Sequence, residues 1–309
     1  GGWRNRDVAQ WFGDFTEVVM KRIGDRVWSV APINEPWCVG WLSHFMGAHA
    51  PGIRDVRATA RAMHHIMLAH GTAIQTMRGL GMKNLGAVCN FEWATPASDR
   101  PEDVAAAARY DAIYNRFFLG GIFKGAYPDL ALEGLEPHLP LGWQDDFGVI
   151  STPVDWSGIN YYTRTLIHDD AKAPWPRYSQ SVGDLPTTSM GWEIYPDALR
   201  AFLVRMTQEY TGNLPIYVTE NGMSAPDVIQ DKVVADPHRI EYLNSHLFAA
   251  KDAIAAGVPL AGYYMWSLMD NYEWALGYEK RFGLIHVDFD TFERTPKQSY
   301  HALAEALRT

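Results

Sequence analysis

The sequence predicts an α/β protein, a parallel sheet covered by helices. Short apolar runs of strand length alternate with longer stretches whose apolar residues recur at three and four residues, and the alternation repeats along the chain. Strands that apolar need cover on both faces, which helices packed on a parallel sheet provide. The polar residues also gather where the strand-like runs end: Asn34 and Glu35, Asn90, Asn160, Glu220 and Asn221, then Asp270. Ligand sites form at that edge, in open parallel sheets and in (β/α)8 barrels alike.

From Asp7, the residues Val8, Trp11, Phe12, Phe15, Val18, Val19 and Ile23 mark one helical face. Asp7 with Gln10 reads as a capping box and Gly24 as the stop. "RVWSVAPINEP" then reads as a buried strand running to Pro36. A helix from Asp55 to about Arg78 leads into the strand "NLGAVCNF" (84–91). A helix from Pro101 to about Phe118 and a loop precede the strand "VDWSGINYY" (154–162). The proline-rich polar stretch 165–190 reads as a long loop over the active face. Helix 196–210 precedes strand "LPIYVTEN" (214–221), and helix 236–257 precedes strand "PLAGYYMWSLMD" (259–270). A helix from Pro296 closes the chain. No Ser/Gly linker interrupts this order, so residues 1–309 are expected to form one domain.

With 47% apolar and 20% charged residues the chain is able to bury a large core. A formal net charge of −9 argues against a nucleic-acid or anionic-membrane surface. No apolar run is long enough to span a bilayer. Cys38 and Cys89 give neither a disulfide framework nor a metal spacing, and read as buried thiols of a reducing, cytoplasmic compartment. The opening "GGWRNRDVAQ" reads as a loop, so the natural start is expected upstream and the lack of a leader carries little weight. The twelve Trp fit either core packing or a cleft that stacks on sugar rings.

Glu35 in "INEPW" and Glu220 in "VTENG" each stand beside an Asn at a strand end. Glycosidic cleavage needs such a pair: an acid to protonate the leaving oxygen, and a carboxylate to meet the anomeric carbon. In retaining enzymes the two lie roughly 5–5.5 Å apart. Their pKa values must differ, so that one holds a proton while the other is ionised.

"INEPWC", "GINYYTR", "VTENG" and "WSLMDNYEWALGYEKRFGLIHVDF", in that order, resemble the retaining β-glucosidases of glycoside hydrolase family 1. The resemblance implies a (β/α)8 TIM barrel that hydrolyses terminal β-D-glucosyl residues, with β-galactosyl and β-fucosyl residues as further substrates. It implies Glu35 as general acid/base and Glu220 as nucleophile. Asn34 would bind the sugar 2-hydroxyl, and Tyr162 would hold the nucleophile. Trp266 would floor the sugar platform, and Glu273 and Trp274 would bind the 3-, 4- and 6-hydroxyls. Trp192 would stack on the leaving group, with Asn90 facing the same side. The implied partners are small β-glucosides and cello-oligosaccharides, with no nucleic acid or membrane. No cofactor or metal is implied, and the adjacent His64 and His65 share no helical face.

The sequence departs from the family's pattern in places. Pro32 replaces the usual Thr two residues before the Asn of the acid/base motif, which unsettles the strand there. Glu35 stands where thioglucosidases carry Gln, favouring oxygen glycosides, and Glu273 would repel a 6-phosphate. Only 34 residues precede Glu35, which should end the fourth barrel strand. Three βα units of ~30 residues each belong before it. The chain is therefore expected to hold barrel units 4–8, with a raw strand edge, low stability and weak activity on its own. A non-catalytic sugar-binding protein or an inert fragment is the competing expectation.

Overall fold

The structure, a computed structural model, describes residues 1–308. The first helix, α1 (Val8–Ile23), lies against α2 (Val56–Gly79). The Asp7–Gln10 capping box is not formed. Asp7 has helical backbone angles (φ −62°, ψ −18°) and makes no side-chain cap bond, while Gln10 donates to Asp14 at 2.9 Å. An N-cap acceptor needs extended backbone to turn back on its helix. Gly24 also keeps right-handed angles and continues into a 3-10 turn. Asp55 does cap α2: its backbone is extended and its carboxylate accepts from Ala58 N at 2.7 Å.

Residues 26–36 do not form the buried strand expected of them. They touch the sheet through two isolated parallel bridges, Val30 to Leu85 and Asn34 to Val88, and Trp28 is 72% exposed. Pro32 stands between the bridges with no N–H to donate. Among the described residues nothing pairs with the outer edge of this segment. Beside it, Trp11, Phe15 and Val18 of α1 present their side chains to water.

The sheet proper begins with β1 (Gly86–Pro96), and α3 (Pro101–Asp111) follows. A π-turn at Ala112–Arg116 joins α3 to α4 (Phe117–Lys124), so the long helix expected to Phe118 is interrupted by one wider turn and runs further. Two short helices, α5 (Asp129–Leu135) and α6 (Phe147–Ile150), precede β2 (Trp156–Asp169). The stretch 165–190 is not simply a loop, because β2 runs on to Asp169 and returns antiparallel as β3 (Tyr178–Ser181). Then come α7 (Pro196–Met206), β4 (Ile216–Asn221), α8 (Pro237–Ala255) and β5 (Leu260–Met265). A hairpin of β6 (Ile285–Val287) and β7 (Arg294–Pro296) leads to α9 (Gln298–Ala306).

The strand order is β1-β2-β4-β5, all parallel, with β3 on β2. Phe91 and Tyr161 point away from the cleft and pack on Phe202 of α7, with Phe91 and Phe202 centroids 5.3 Å apart. Their neighbours Asn90 and Asn160 take the opposite face, as strand alternation requires. No helix among the described residues is long and apolar enough to cross a membrane.

Two strand-end polar residues leave the cleft for the core. Asn221 is buried, donating to the Tyr161 carbonyl and Tyr242 hydroxyl while accepting from Tyr263. Asp270 is buried beyond the end of β5, bound by Arg281 at 2.7 Å and Lys297 at 2.9 Å. Lys297 and Arg239 meet in turn at Asp227, and Arg239 also pairs with Asp236. Both residues were expected at the ligand edge. The core claims them because a buried amide or carboxylate needs partners, and these sites supply them.

Candidate active site

Glu35 lies just after the bridge at Asn34, with left-handed backbone (φ 52°), and its N–H donates to Val88 O at 3.2 Å. A positive φ is unusual for a residue with a Cβ and is held here by its surroundings. Glu220 is the penultimate residue of β4. Gly222 follows because nothing larger fits: a Cβ there would meet the Trp266 carbonyl oxygen at 1.9 Å.

Two amides join the two acids. Asn34 donates to Glu220 Oε1 at 3.4 Å. Asn160 donates both to Asn34 Oδ1 at 3.1 Å and to Glu35 Oε1 at 2.8 Å. Thr219 donates to Asn160 Oδ1 at 2.6 Å, which orients the amide. The second oxygen of Glu220 accepts from Tyr162 at 2.6 Å, and that of Glu35 from the Cys38 thiol at 3.1 Å. The acids thus share one pocket through a chain of contacts.

Burial, and next the charge of Glu35, pushes the Glu220 carboxyl up to about 7, against the pull of the Tyr162 and Asn34 hydrogen bonds. Burial also raises Glu35, opposed by its bonds from Asn160 and Cys38. Two carboxyls that feel each other this strongly do not ionise independently. Near neutrality the pair holds a proton that ordinary surface acids have lost.

Glu273 completes the acidic side of the pocket. Burial and then the Glu35 charge raise it, while the Trp266 side chain donates to it. Trp266 is half-buried directly after β5. The Trp192 ring lies 5.4 Å from that of Tyr162. Trp274 sits apart at the rim, 68% exposed and stacked on His49. Asn90 is buried, donates to the Tyr114 hydroxyl at 2.8 Å, and has no partner for its Oδ1 among the described residues.

Sequence reasoning placed Asn160 at the ligand edge but gave neither it nor Thr219 a supporting role, and it treated Cys38 as a buried thiol. The signals were present. Asn160 pairs in register with Asn90 on the cleft face, and Cys38 stands one helical turn after Glu35.

The sequence pattern of Glycosyl hydrolase family 1 matches residues 1–309. Beta-glucosidase A of Thermotoga maritima is 42% identical over 304 residues, covering 97% of this chain and 67% of its own length. The Beta-glucosidase of an Agrobacterium species is 43% identical over 313 residues, covering 98% of this chain and 68% of its own. Among solved structures, the GH1 beta-glucosidase from Exiguobacterium antarcticum B7 superposes with a TM-score of 0.95 at 40% identity, covering 100% of this chain and 70% of that one. The chain therefore spans about two thirds of the length of these relatives, and its parallel strands with their helices form part of a TIM barrel. It belongs to glycosyl hydrolase family 1, a glycoside hydrolase related throughout its length to β-glucosidases.

Proposed function

We propose that the chain hydrolyses terminal β-D-glucosyl residues by double displacement with retention of configuration. Glu220 is the nucleophile and Glu35 the general acid/base. The observation that carries this reading is the hydrogen-bonded chain from Glu220 through Asn34 and Asn160 to Glu35.

In the first step a Glu220 oxygen bonds to the anomeric carbon as the bond to the leaving oxygen breaks, and the Glu35 proton passes to that oxygen. Esterification removes the Glu220 charge, so the carboxyl of Glu35 loses a neighbour that held its proton on. It is then free to accept the proton of the water that attacks the same carbon and releases Glu220. Asn34, which touches Glu220, is placed for the sugar 2-hydroxyl, where contacts strengthen in the transition state. Trp266 gives the ring an apolar floor. Glu273 and Trp274 take the outer hydroxyls, with β-galactosides and β-fucosides as further substrates. Trp192 and Asn90 face the leaving group.

NMR of the first-formed sugar tests the reading: β-glucose supports retention, and α-glucose overturns it. Glu35→Gln should slow glycosides with poor, alkyl leaving groups by about 10²–10⁴, while activated aryl glycosides suffer far less in the first step. An equal, mild loss on both classes would remove Glu35 from the acid role.

Tyr162→Phe removes a hydrogen bond that holds the Glu220 carboxyl down. The nucleophile's pKa then rises, less of it is ionised at a given acidic pH, and the acidic limb of kcat/KM should move to higher pH. A pH–rate profile checks this. An unmoved limb would mean that the contact does not bear on the ionisation of Glu220.

A further inference from the structure

The two oxygens of Glu35 have partners of different kinds. Oε1 accepts from the Asn160 amide, which has no freedom to do otherwise. The Asn160 Oδ1 accepts from Thr219 at 2.6 Å, and its Nδ2 also donates to Asn34 Oδ1 at 3.1 Å. Turning that amide over would set acceptor against acceptor at Asn34. Oε1 therefore faces a fixed donor whatever the charge of the carboxyl, and is the poorer place for a proton. Oε2 meets the Cys38 thiol at 3.1 Å. A thiol is both a weak donor and a weak acceptor, and its hydrogen swings about a single bond.

The sulfur itself is held by main chain. The Cys38 N–H donates to Glu35 O at 3.0 Å and opens the π-turn Cys38–Leu42. Gly40 seats this turn on α2, since a Cβ there would meet Met63 Cγ at 2.6 Å, and Trp37 stacks on Tyr114 at 4.0 Å. Wider turns of this kind recur at functional sites. Burial, and next the charge of Glu35, pushes the Cys38 thiol well above its ordinary value, so it keeps its hydrogen in both states of the acid. The titratable groups that feel Glu35 are Glu220, Glu273, Cys38, Cys89, Tyr114 and Tyr162, none of them a cation.

We propose that Cys38 is a positioning residue for the acid/base: its thiol turns with the proton state of Glu35 and makes Oε2 the oxygen that gives and takes the proton. The proposal rests on the reading of Glu35 as general acid/base. In the first step the Oε2–H bond breaks, its proton goes to the leaving oxygen, and the thiol donates to the carboxylate that remains. In the second, water gives a proton to Oε2 while its oxygen bonds to the anomeric carbon and Glu220 leaves as carboxylate. The thiol then turns its hydrogen away, and its own S–H bond is broken in neither step.

Infrared spectra of the full chain, taken as a difference against Cys38→Val to remove the Cys89 band, read the thiol directly. The S–H stretch should fall in frequency as pH rises and Glu35 ionises, because a bond to a charged acceptor is the stronger one. Glu35→Gln should remove that response. The pH profile of kcat/KM on methyl β-glucoside, whose departure needs the proton, reads the consequence. Cys38→Val takes a donor from the carboxylate, so its basic limb should move about half a unit to one unit to higher pH. Cys38→Ser, which restores a rotating donor, should bring the limb back to the parent's position or below. A limb unmoved in Cys38→Val, or Cys38→Ser behaving as Cys38→Val does, overturns the proposal. So does a thiol band that ignores pH in a parent with an intact profile, and that leaves the acid/base reading standing. Should Cys38→Val fail to fold, the parent and Glu35→Gln spectra decide alone. A parent that turns over no β-glucoside at any pH would sink the acid/base reading, and this inference with it.

Discussion

Glu220→Gln is expected to abolish turnover, lowering kcat by about four orders of magnitude or more on every β-glucoside whatever its leaving group. An amide neither attacks the anomeric carbon nor carries the charge that stabilises it. The same substitution has a second outcome of opposite sign. The carboxyl of Glu220 is raised to about 7 by burial and by Glu35, above its value in an unfolded chain. Such a group favours the folded state at low pH and loses that advantage as pH rises through 7, because ionising it in the pocket opposes folding. Gln carries no charge to desolvate. Thermal unfolding of the variant at pH 8 should therefore occur at a higher temperature than that of the parent, with the gap closing toward pH 5. Residual turnover above one percent, or a variant less stable at pH 8, would count against the assignment.

Lys297→Met is expected to lower folding stability by about 3–5 kcal/mol, the usual result of stripping one member from a buried ionic cluster. Lys297 is fully buried between Asp227 and Asp270. Arg239 serves Asp227 and Asp236, and Arg281 serves Asp270. Three acids face three bases, so removal of the ammonium leaves one negative charge uncompensated in the interior. Urea unfolding checks the magnitude. A fall below about 1 kcal/mol would mean that water reaches the cluster and screens it as it screens a surface pair. Lys297→Arg separates charge from fit: it keeps the sign, but a planar guanidinium is a poor replacement for a point charge held by two carboxylates.

The residues proposed to carry chemistry could be singled out in the sequence because their motifs are local. Asn34 and Glu35 are adjacent, as are Glu220 and Asn221, and strand alternation fixes which of them face the cleft. Alternation alone said nothing about neighbours. Asn221 and Asp270 have the same strand-end signature as Glu220, yet Tyr242 and Tyr263 enclose the first and Lys297 and Arg281 the second. Those partners come from elsewhere in the chain: Tyr242 from α8, Tyr263 from β5, and Arg281 and Lys297 from loops. Residues 26–36 failed as a strand for a local reason visible in advance, the missing donor of Pro32, together with a non-local one, the absence of a second pairing partner among the described residues. The β2–β3 hairpin hid inside a polar stretch because its four-residue return strand is mostly exposed and shows no apolar rhythm.

Gly222 has a mechanical meaning as well as a steric one. Its α-carbon leaves no room for even a methyl group before the Trp266 carbonyl, and the Trp266 amide is hydrogen-bonded to Asn221 O at 3.0 Å. Two neighbouring stretches of main chain are locked at this point, one bearing Glu220 and the other the Trp266 indole. Any breathing of the cleft must carry both as a single block. Accommodation of differently shaped ligands then falls to the outlying aromatics, Trp192 and Trp274, whose rings are held by side-chain packing on Tyr162 and Phe282 and on His49.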